Sequence, residues 1–509
     1  MSFHQHYLTV VDEAERRFRV ARWRSGDVDL WPLARMDLYL DMYVQDTECP
    51  VAPARSRLRR GLDVLARPVT NIWNQRSDLR KLQLLPHRAD AIFLGDGVSL
   101  DRIDGVWEDR FCEPVMSALD TQGRAGFLMQ AGDLRRLPRR RPTYSANTIA
   151  TAGHVLAPLF AAQPELQDHG AFLQFLDAQG IQAPSLSASR LARRARIVAA
   201  SAFAFERVLR AVRPKLAFTV TWYAGLGPAF MLACRRQGIL AVDLQHCPQG
   251  GRHKAYGWSG VPAGGFNVLP AIFWNWNRND ATYIASWARA PWHRSIVGGH
   301  PRLDPLRDDE SPETQHADRL LRDTVGRGEF QREVLVALQT TGGRSGLWDR
   351  LADVIAAGPE NWRWWIRRHP AARPEDDQLY AKLVALRGSN ICVDAASLPL
   401  PTLLRHVTVV VSAASGVAAE AASFGIPAIF LSRDASGPFG DLIQSDHARV
   451  VEDMTTLLAA IEALPTRRRP TTGERPPQLA TTLGHLEELA GDYRRACARA
   501  SNLDSRCPS

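Results

Sequence analysis

The chain has 509 residues, too many for one ordinary hydrophobic core, so two domains with room for a further element are expected. Apolar side chains make up 45% and charged ones 23%, which excludes a disordered or fibrous chain. The net charge of +9 favours anionic partners: phosphates, nucleotides, acidic lipid headgroups or nucleic acid.

The N-terminus (MSFHQHYLTVVDEAERRFRV) lacks a basic-then-apolar leader pattern. Residues 1–88 read as a helical, Arg-rich accessory segment, with Trp31, Leu33, Leu38 and Leu40 at mixed helical spacings. The basic run 54–80 reads first as a solvated helical face and second as a contact with an anionic membrane. From 89 the pattern changes. Short apolar runs at 91–95, 125–130, 216–221, 239–245 and 271–276 alternate with helix-length segments, which is the rhythm of βαβ units. Residues 134–145 read as an Arg/Pro loop and 150–212 as mostly helix. The uncharged run 216–234 approaches a membrane span in length, but its Thr, Gly and Pro228 break it into strand, turn and buried helix. The polar, acid- and Pro-rich stretch from 300 to 319 marks the passage into a linker at 306–330, ending the first domain at 305. A second, clearer series follows over 331–465, with strands expected at 333, 362, 391, 407, 427 and 449. One amphipathic helix over 479–500 closes the pattern. The seven cysteines are scattered singly and form no Cys-x-x-Cys, so neither a disulfide framework nor a zinc site is expected, and a reducing compartment fits.

In a doubly wound sheet, ligands bind where strands end at their carboxyl edge. The turn 340–346 (TTGGRSG) brings Gly342 and Gly343 to such an edge, as a phosphate loop or simply a tight turn. After the Trp-rich run come Arg368, His369 and Pro370. An imidazole there can donate to a phosphate oxygen or cap a carbonyl. After the valines at 409–411 come Ser412, Ser415 and Gly416, with Ser415 a good N-cap for an Ala-rich helix. Glu420 lies one turn inside that helix among alanines. It faces the cleft or sits buried, where a carboxylate needs a donor such as a pair of ribose hydroxyls.

Strand–Arg-His-Pro, strand–Ser-x-x-Ser-Gly-x3-Glu-Ala and Gly-x-Pro-strand together resemble the C-terminal domain of bacterial GT-B glycosyltransferases of capsule and lipopolysaccharide assembly. The branch with His-Pro and Ser motifs, polysialyl- and Kdo-transferase-like, is the nearest in flavour. CDP-glycerol glycerophosphotransferases and, more distantly, UDP-N-acetylglucosamine 2-epimerases are also similar. The resemblance implies an α/β, GT-B fold: two facing Rossmann-like domains with an N-terminal helical segment and a C-terminal helix. It implies that His369, Ser412, Ser415, Gly416 and Glu420 hold the nucleotide of a donor. In the first domain, Gln245-His246 followed by a Gly-rich turn looks like the strand–Gln-His-Gly segment of these enzymes, with Cys247 in place of Gly. His246 is then the expected base, since a strand-end imidazole can take a hydroxyl proton near neutral pH. Gln245, His253 and Tyr256 would shape the acceptor pocket. Asp96, between Gly95 and Gly97, resembles the Asp-Gly base of polysialyltransferases and is the second candidate, although an Asp in a Gly turn is common. Arg302, in a segment similar to Gly-x-Pro-Arg-x-Asp, would meet the diphosphate with His300 capping it, or else pair with Asp304 to pin the hinge.

The resulting expectation is an inverting, metal-independent transfer of a sugar from a nucleotide-sugar donor to a hydroxyl of a surface polysaccharide or lipid-linked glycan. No DxD-type metal site is evident and no cofactor is expected beyond the nucleotide-sugar substrate. The alternatives are a CDP-glycerol-type phosphotransferase or UDP-sugar 2-epimerase on the same fold, and more remotely a basic nucleic-acid-binding or scaffold protein. Nucleic acid is not the expected partner, because the basic runs carry few aromatics. The expected location is cytoplasmic, with peripheral contact to the inner face of an anionic inner membrane.

Overall fold

The computed structural model describes residues 3–46, 82–83, 87–131, 138–160, 163–325, 330–339, 346–369, 377–393, 398–465 and 477–504. Two parallel sheets organise the chain. The first has eight strands in the order Arg294–Val297, Ile272–Asn275, Leu240–Leu244, Leu216–Val220, Ala91–Gly95, Gly126–Gln130, Thr143–Ser145, Leu82–Gln83. Every pairing in it is parallel. The second has six: Ile391–Cys392, Trp362–Arg367, Arg332–Ala337, Val409–Ser412, Ala428–Phe430, Ala448–Val450, also all parallel. Numbered along the chain, these six lie in the order 3-2-1-4-5-6, so a crevice opens between Arg332–Ala337 and Val409–Ser412, where the winding reverses. Across this row Arg367 pairs with Ala337 and Ala337 with Ser412, so three carboxyl ends share one edge. The fold is mixed α/β, a two-domain GT-B arrangement of Rossmann-like sheets with helices at both ends.

Strand chemistry explains the layers. A parallel strand buried on both faces is apolar throughout, as Val409, Val410 and Val411 are. The two-residue period sends Trp364 and Ile366 into the core on one face of the second sheet and Trp365 into the core on the other. The uncharged run 216–234 resolves into the Leu216–Val220 strand, a turn and the Gly227–Gln237 helix. Among the described residues no helix is long and apolar enough to cross a membrane.

Three features revise the expected organisation. Helices Phe3–Arg17 and Trp31–Asp46 and the segment between them put Tyr7, Trp23, Trp31 and Leu38 into one core with Ile92, Phe127 and Ala217 of the first sheet. Those aromatics carry too much apolar surface to stay solvated, so residues 3–46 belong to the first domain rather than to an accessory piece. The basic run 54–80 lies outside the described residues. The linker is structured in its described part: Leu306, Ala317 and Leu321 join Leu335 and Trp365 in the core of the second domain. The closing helix, Leu479–Asp504, crosses back and packs Leu483, Leu486 and Tyr493 against Phe93 and Phe218 of the first.

Several strands were not expected: Leu82–Gln83 and Thr143–Ser145 of the first sheet fall in stretches read as helical and as loop, and a hairpin follows the first long strand. Leu100–Ile103 and Val106–Asp109 form an antiparallel hairpin closed by Asp104 and Gly105, both at positive φ (50° and 79°). An Asp-Gly pair suits that two-residue turn. The hairpin and the residue after it place Asp101 and Arg110 beside the second domain.

Candidate active site at the domain seam

Glu420 is buried, 3% exposed, and looks out of the Val417–Ser423 helix at the first domain. Its Oε1 lies 3.7 Å from Arg110 and its Oε2 lies 3.8 Å from His300 Nε2. Neither Glu420 Oε2 nor His300 Nε2 has a hydrogen-bond partner among the described residues. His300 Nδ1 accepts from the Leu303 amide (3.3 Å), which puts the ring proton on Nε2, pointing towards the carboxylate. The ring is held against Trp276, with centroids 4.4 Å apart, and near Phe111. Burial pushes the Glu420 carboxyl up to about 7, against the pull of Arg110. Burial, then Arg110, holds the His300 imidazole well below its ordinary range, so it is neutral.

Three guanidinium groups share this seam. Arg110 donates twice to Asp101 (3.2 and 3.0 Å). Arg302 pairs with Glu108 and donates to the Arg110 carbonyl (3.2 Å). Arg367, at the end of its strand, lies 3.9 Å from Asp101 and donates to the Leu398 carbonyl. Burial alone would raise Asp101, but Arg110, Arg302 and Arg367 together hold it at about 2. Burial and then Arg110 bring Arg367 down to about 10. Arg302 thus reaches the seam, but its partner is Glu108. Asp304, expected to pair with it, instead accepts from the His300 amide (2.6 Å) and faces Arg307 (3.4 Å).

The serine turn lies on the same edge. Ser412 Oγ accepts from the Ser415 amide and Ser415 Oγ from the Val417 amide, each at 3.3 Å. Each hydroxyl keeps its own hydrogen to donate. The helix starts one residue later than an N-cap at Ser415 required, with Gly416 as its cap. Gln339, unremarked in the sequence, clamps the turn: its Oε1 accepts from the Ala414 amide and its Nε2 donates to the Ala414 carbonyl, both at 2.6 Å. Arg368 is exposed and His369 half-buried just past Arg367. Gly342 and Gly343 lie outside the described residues.

From the first domain, the His246 carbonyl faces Gly416, 3.9 Å from where a Cβ there would stand. The strand end of the first sheet therefore meets the serine turn of the second. His246 Nε2 is 3.3 Å from the Tyr223 hydroxyl and 3.5 Å from Thr221 Oγ1, and its buried Nδ1 has no partner among the described residues. Burial lowers its imidazole to about 4, so it is neutral and able to accept at neutral pH. Thr221 sits at φ 62°, a costly backbone state for a β-branched residue, and one met mainly where a site imposes it.

The other first-domain candidates are engaged in hydrogen bonds within the protein. Gln245 spends its whole amide inside the protein: Nε2 donates to the Cys247 carbonyl (2.9 Å) and Asp280 (2.5 Å), and Oε1 accepts from the Trp276 amide (2.6 Å). Tyr256 is fully buried and donates to Asp243 (2.8 Å), which also accepts from Gln249 (3.1 Å). His253 accepts from the Ala255 amide (3.2 Å), lies tilted against Tyr256 with ring centroids 4.8 Å apart and stands 3.6 Å from Cys247 Sγ. Asp96 caps its own turn, accepting from the Val98 and Ser99 amides and the Ser99 hydroxyl, each at 2.8 Å. Among the described residues no cluster of His, Cys, Asp or Glu is arranged to hold a metal ion.

The residues missed in the sequence are Asp101, Arg110, Tyr223, Gln339 and Arg367. For Asp101 and Arg110 the Asp-Gly turn between two short apolar strands was the available signal. Nothing in the local sequence marks Tyr223 or Gln339.

No family model and no curated protein matches the chain. Among solved structures, a putative UDP-N-acetylglucosamine 2-epimerase from Listeria monocytogenes is similar at 12% identity and TM-score 0.47, over 78% of this chain and 94% of that one. The UDP-GlcNAc 2-epimerase of Methanocaldococcus jannaschii is similar at 11% identity and TM-score 0.46, over 78% and 98%. The wall teichoic acid polymerase TagF is similar at 10% identity and TM-score 0.42, over 88% and 96%.

Proposed function

We propose that this chain is a glycosyltransferase that moves a sugar from a nucleotide-sugar donor to a hydroxyl of a surface polysaccharide or lipid-linked glycan. The observation that carries the reading is the Glu420–His300 pair. It leaves a carboxylate oxygen and a ring N–H, both buried and without hydrogen bonds among the described residues, at the seam beside Arg110. Unpaired polar atoms at that depth cost about 1–3 kcal/mol each, so a ligand able to pair with them would be bound tightly. A ribose diol donates to the carboxylate, and the imidazole N–H donates to an oxygen of the same ligand. Arg110, Arg302 and Arg367 offer positive charge to a diphosphate, and Ser412 and Ser415 their free O–H hydrogens.

In the transfer, an acceptor oxygen bonds to the anomeric carbon while the bond from that carbon to the nucleotide phosphate breaks, with inversion. His246 takes the acceptor proton, and the arginines hold the charge left on the nucleoside diphosphate. The step needs no metal in this reading.

The test is a thermal-shift panel with UDP, CMP, CDP, GDP and dTDP. One of them is expected to raise the melting temperature, and Glu420→Ala and Arg110→Ala are each expected to abolish the shift. No shift with any nucleotide sinks the donor site. Release of an epimerised sugar without acceptor, or turnover of CDP-glycerol, would move the chain to the 2-epimerase or glycerophosphotransferase reading.

A further inference from the structure

Helices Asn147–Leu156 and Ala188–Val212 pack side by side, and the turn Ala157–Leu159 follows the first of them. Between the helices lies an open groove of about 330 Å³ whose wall includes Tyr144, Ile149, Leu156, Phe203 and Arg207. Three large apolar side chains stand out to solvent here: Leu159 at 78% exposure, Val155 at 53% and Phe203 at 37%. Among the described residues only Leu40 and Val98 are comparably large, apolar and exposed. A single exposed leucine is ordinary, whereas a cluster around an apolar groove marks an interaction surface.

The cluster has a basic rim. Arg207 lies over the Phe203 ring, 5.5 Å from its centroid. Arg210, one turn further along the helix, is exposed. Arg193 and Arg194 stand near enough to His154 that, after its partial burial, they press its imidazole below the ordinary value. The acid on this stretch, Glu206, is turned to Arg236 at 2.9 Å and does not offset the rim. Protruding aliphatic and aromatic groups ringed by guanidinium match the edge of an anionic bilayer. The apolar groups enter the acyl boundary and the cations meet headgroup phosphates. A nucleic acid would call for several stacking aromatics, and Phe203 is the only one exposed in the cluster.

We propose that this face docks the protein onto an anionic phospholipid membrane, with Val155, Leu159 and Phe203 inserting and Arg193, Arg207 and Arg210 meeting the headgroups. The surface is distinct from the basic run at 54–80. It is independent of the nucleotide site, and failure of either leaves the other standing.

Flotation of the full chain with vesicles of phosphatidylcholine plus phosphatidylglycerol tests it, with phosphatidylcholine alone as the control. The chain is expected to float with the mixed vesicles, less so in high salt, and not with the control. The double variant Leu159→Asp, Phe203→Asp is expected to lose at least about tenfold in vesicle affinity, and Arg193→Glu, Arg207→Glu a similar factor. The charge pair keeps the test alive if the apolar pair folds poorly. Melting temperature and nucleotide-induced shift should be unchanged in a variant that folds. The proposal is overturned if the full chain ignores mixed vesicles, if either folded variant floats like the parent, or if the face retains DNA but not vesicles.

Discussion

Two buried polar clusters meet where the domains face each other, and they are satisfied to different degrees. Behind the Leu240–Leu244 strand the polar ends of Asp243, Gln245 and Gln249 are used, while Asn275 Oδ1 lacks a partner among the described residues. Asp243 accepts from Tyr256 and Gln249, and Gln245 commits both ends of its amide. In the seam, Glu420 Oε2 and His300 Nε2 lack partners among the described residues, and three guanidinium groups crowd around. Native interiors rarely leave buried polar atoms unpaired. A saturated cluster is therefore a scaffold, and an unsaturated one is the better candidate for receiving a ligand. His246 stands at the border, with Nε2 near two hydroxyls and Nδ1 unpaired.

The sharpest break of this contrast is at His246. His246→Ala is expected to cut sugar transfer by about 10²–10⁴-fold while the nucleotide-induced melting shift stays, because the base acts on the acceptor side. Turnover measured with saturating donor decides it. A loss under about fivefold would return His246 to the scaffold with Gln245 and Tyr256.

Next in size is a substitution inside the saturated cluster. Tyr256→Phe removes one donor to Asp243, whose carboxyl burial has already raised to about 7. Urea unfolding should show a loss of about 1–3 kcal/mol, and nucleotide binding should not change. Weakened nucleotide binding with unaltered stability would reverse the roles given to the two clusters.

Legibility in the sequence divides along the same line. The second sheet and the central strands of the first could be read from apolar runs and their spacing, because buried parallel strands leave continuous Val, Ile and Trp segments such as 362–367 and 409–411, whereas the short edge strands Thr143–Ser145 and Leu82–Gln83 leave no such run. The serine turn and Glu420 were legible for a related reason: small residues seat that helix and isolate its acid. The seam's other half was not. Arg110 and Asp101 are nine residues apart on a hairpin, and their nearness to Glu420 arises only when the domains close. His300 was read from its own segment as a cap for a diphosphate, but its place against Trp276 and Glu420 arises only in the fold. Tyr256 and Gln245 present the opposite case. They sit at a strand end, as ligand-binding residues do, but their polar atoms are already paired.

A smaller and more specific effect is expected with pH. Glu420 releases its proton near pH 7 in the folded chain, against an ordinary value of 4.5. Between those values the folded state binds the extra proton, so this group's contribution to stability falls as pH rises from 4.5 towards 7. Glu420→Gln should remove that slope. Ribose hydroxyls donate to the ionised carboxylate, so nucleotide affinity should rise about tenfold from pH 6 to pH 8 in the parent and stay flat in the variant. A parent affinity that ignores pH over this range would separate Glu420 from the ribose.

The smallest expected effect discriminates between the two candidate bases. Asp96 already accepts three hydrogen bonds within its own turn, and Asn at that position can still accept at Oδ1 from the amides of Val98 and Ser99. What Asp96→Asn loses is the charge and the Ser99 hydroxyl contact. For a half-buried turn residue that change is worth less than about 1 kcal/mol of stability, and turnover should stay within a few-fold of the parent. A base reduced to an amide would instead lose about 10²-fold or more, since the amide cannot take a proton. Measuring donor turnover for Asp96→Asn beside His246→Ala therefore assigns the proton. A collapse in the first with activity kept in the second would give it to Asp96 and leave His246 as part of the wall between strand end and serine turn.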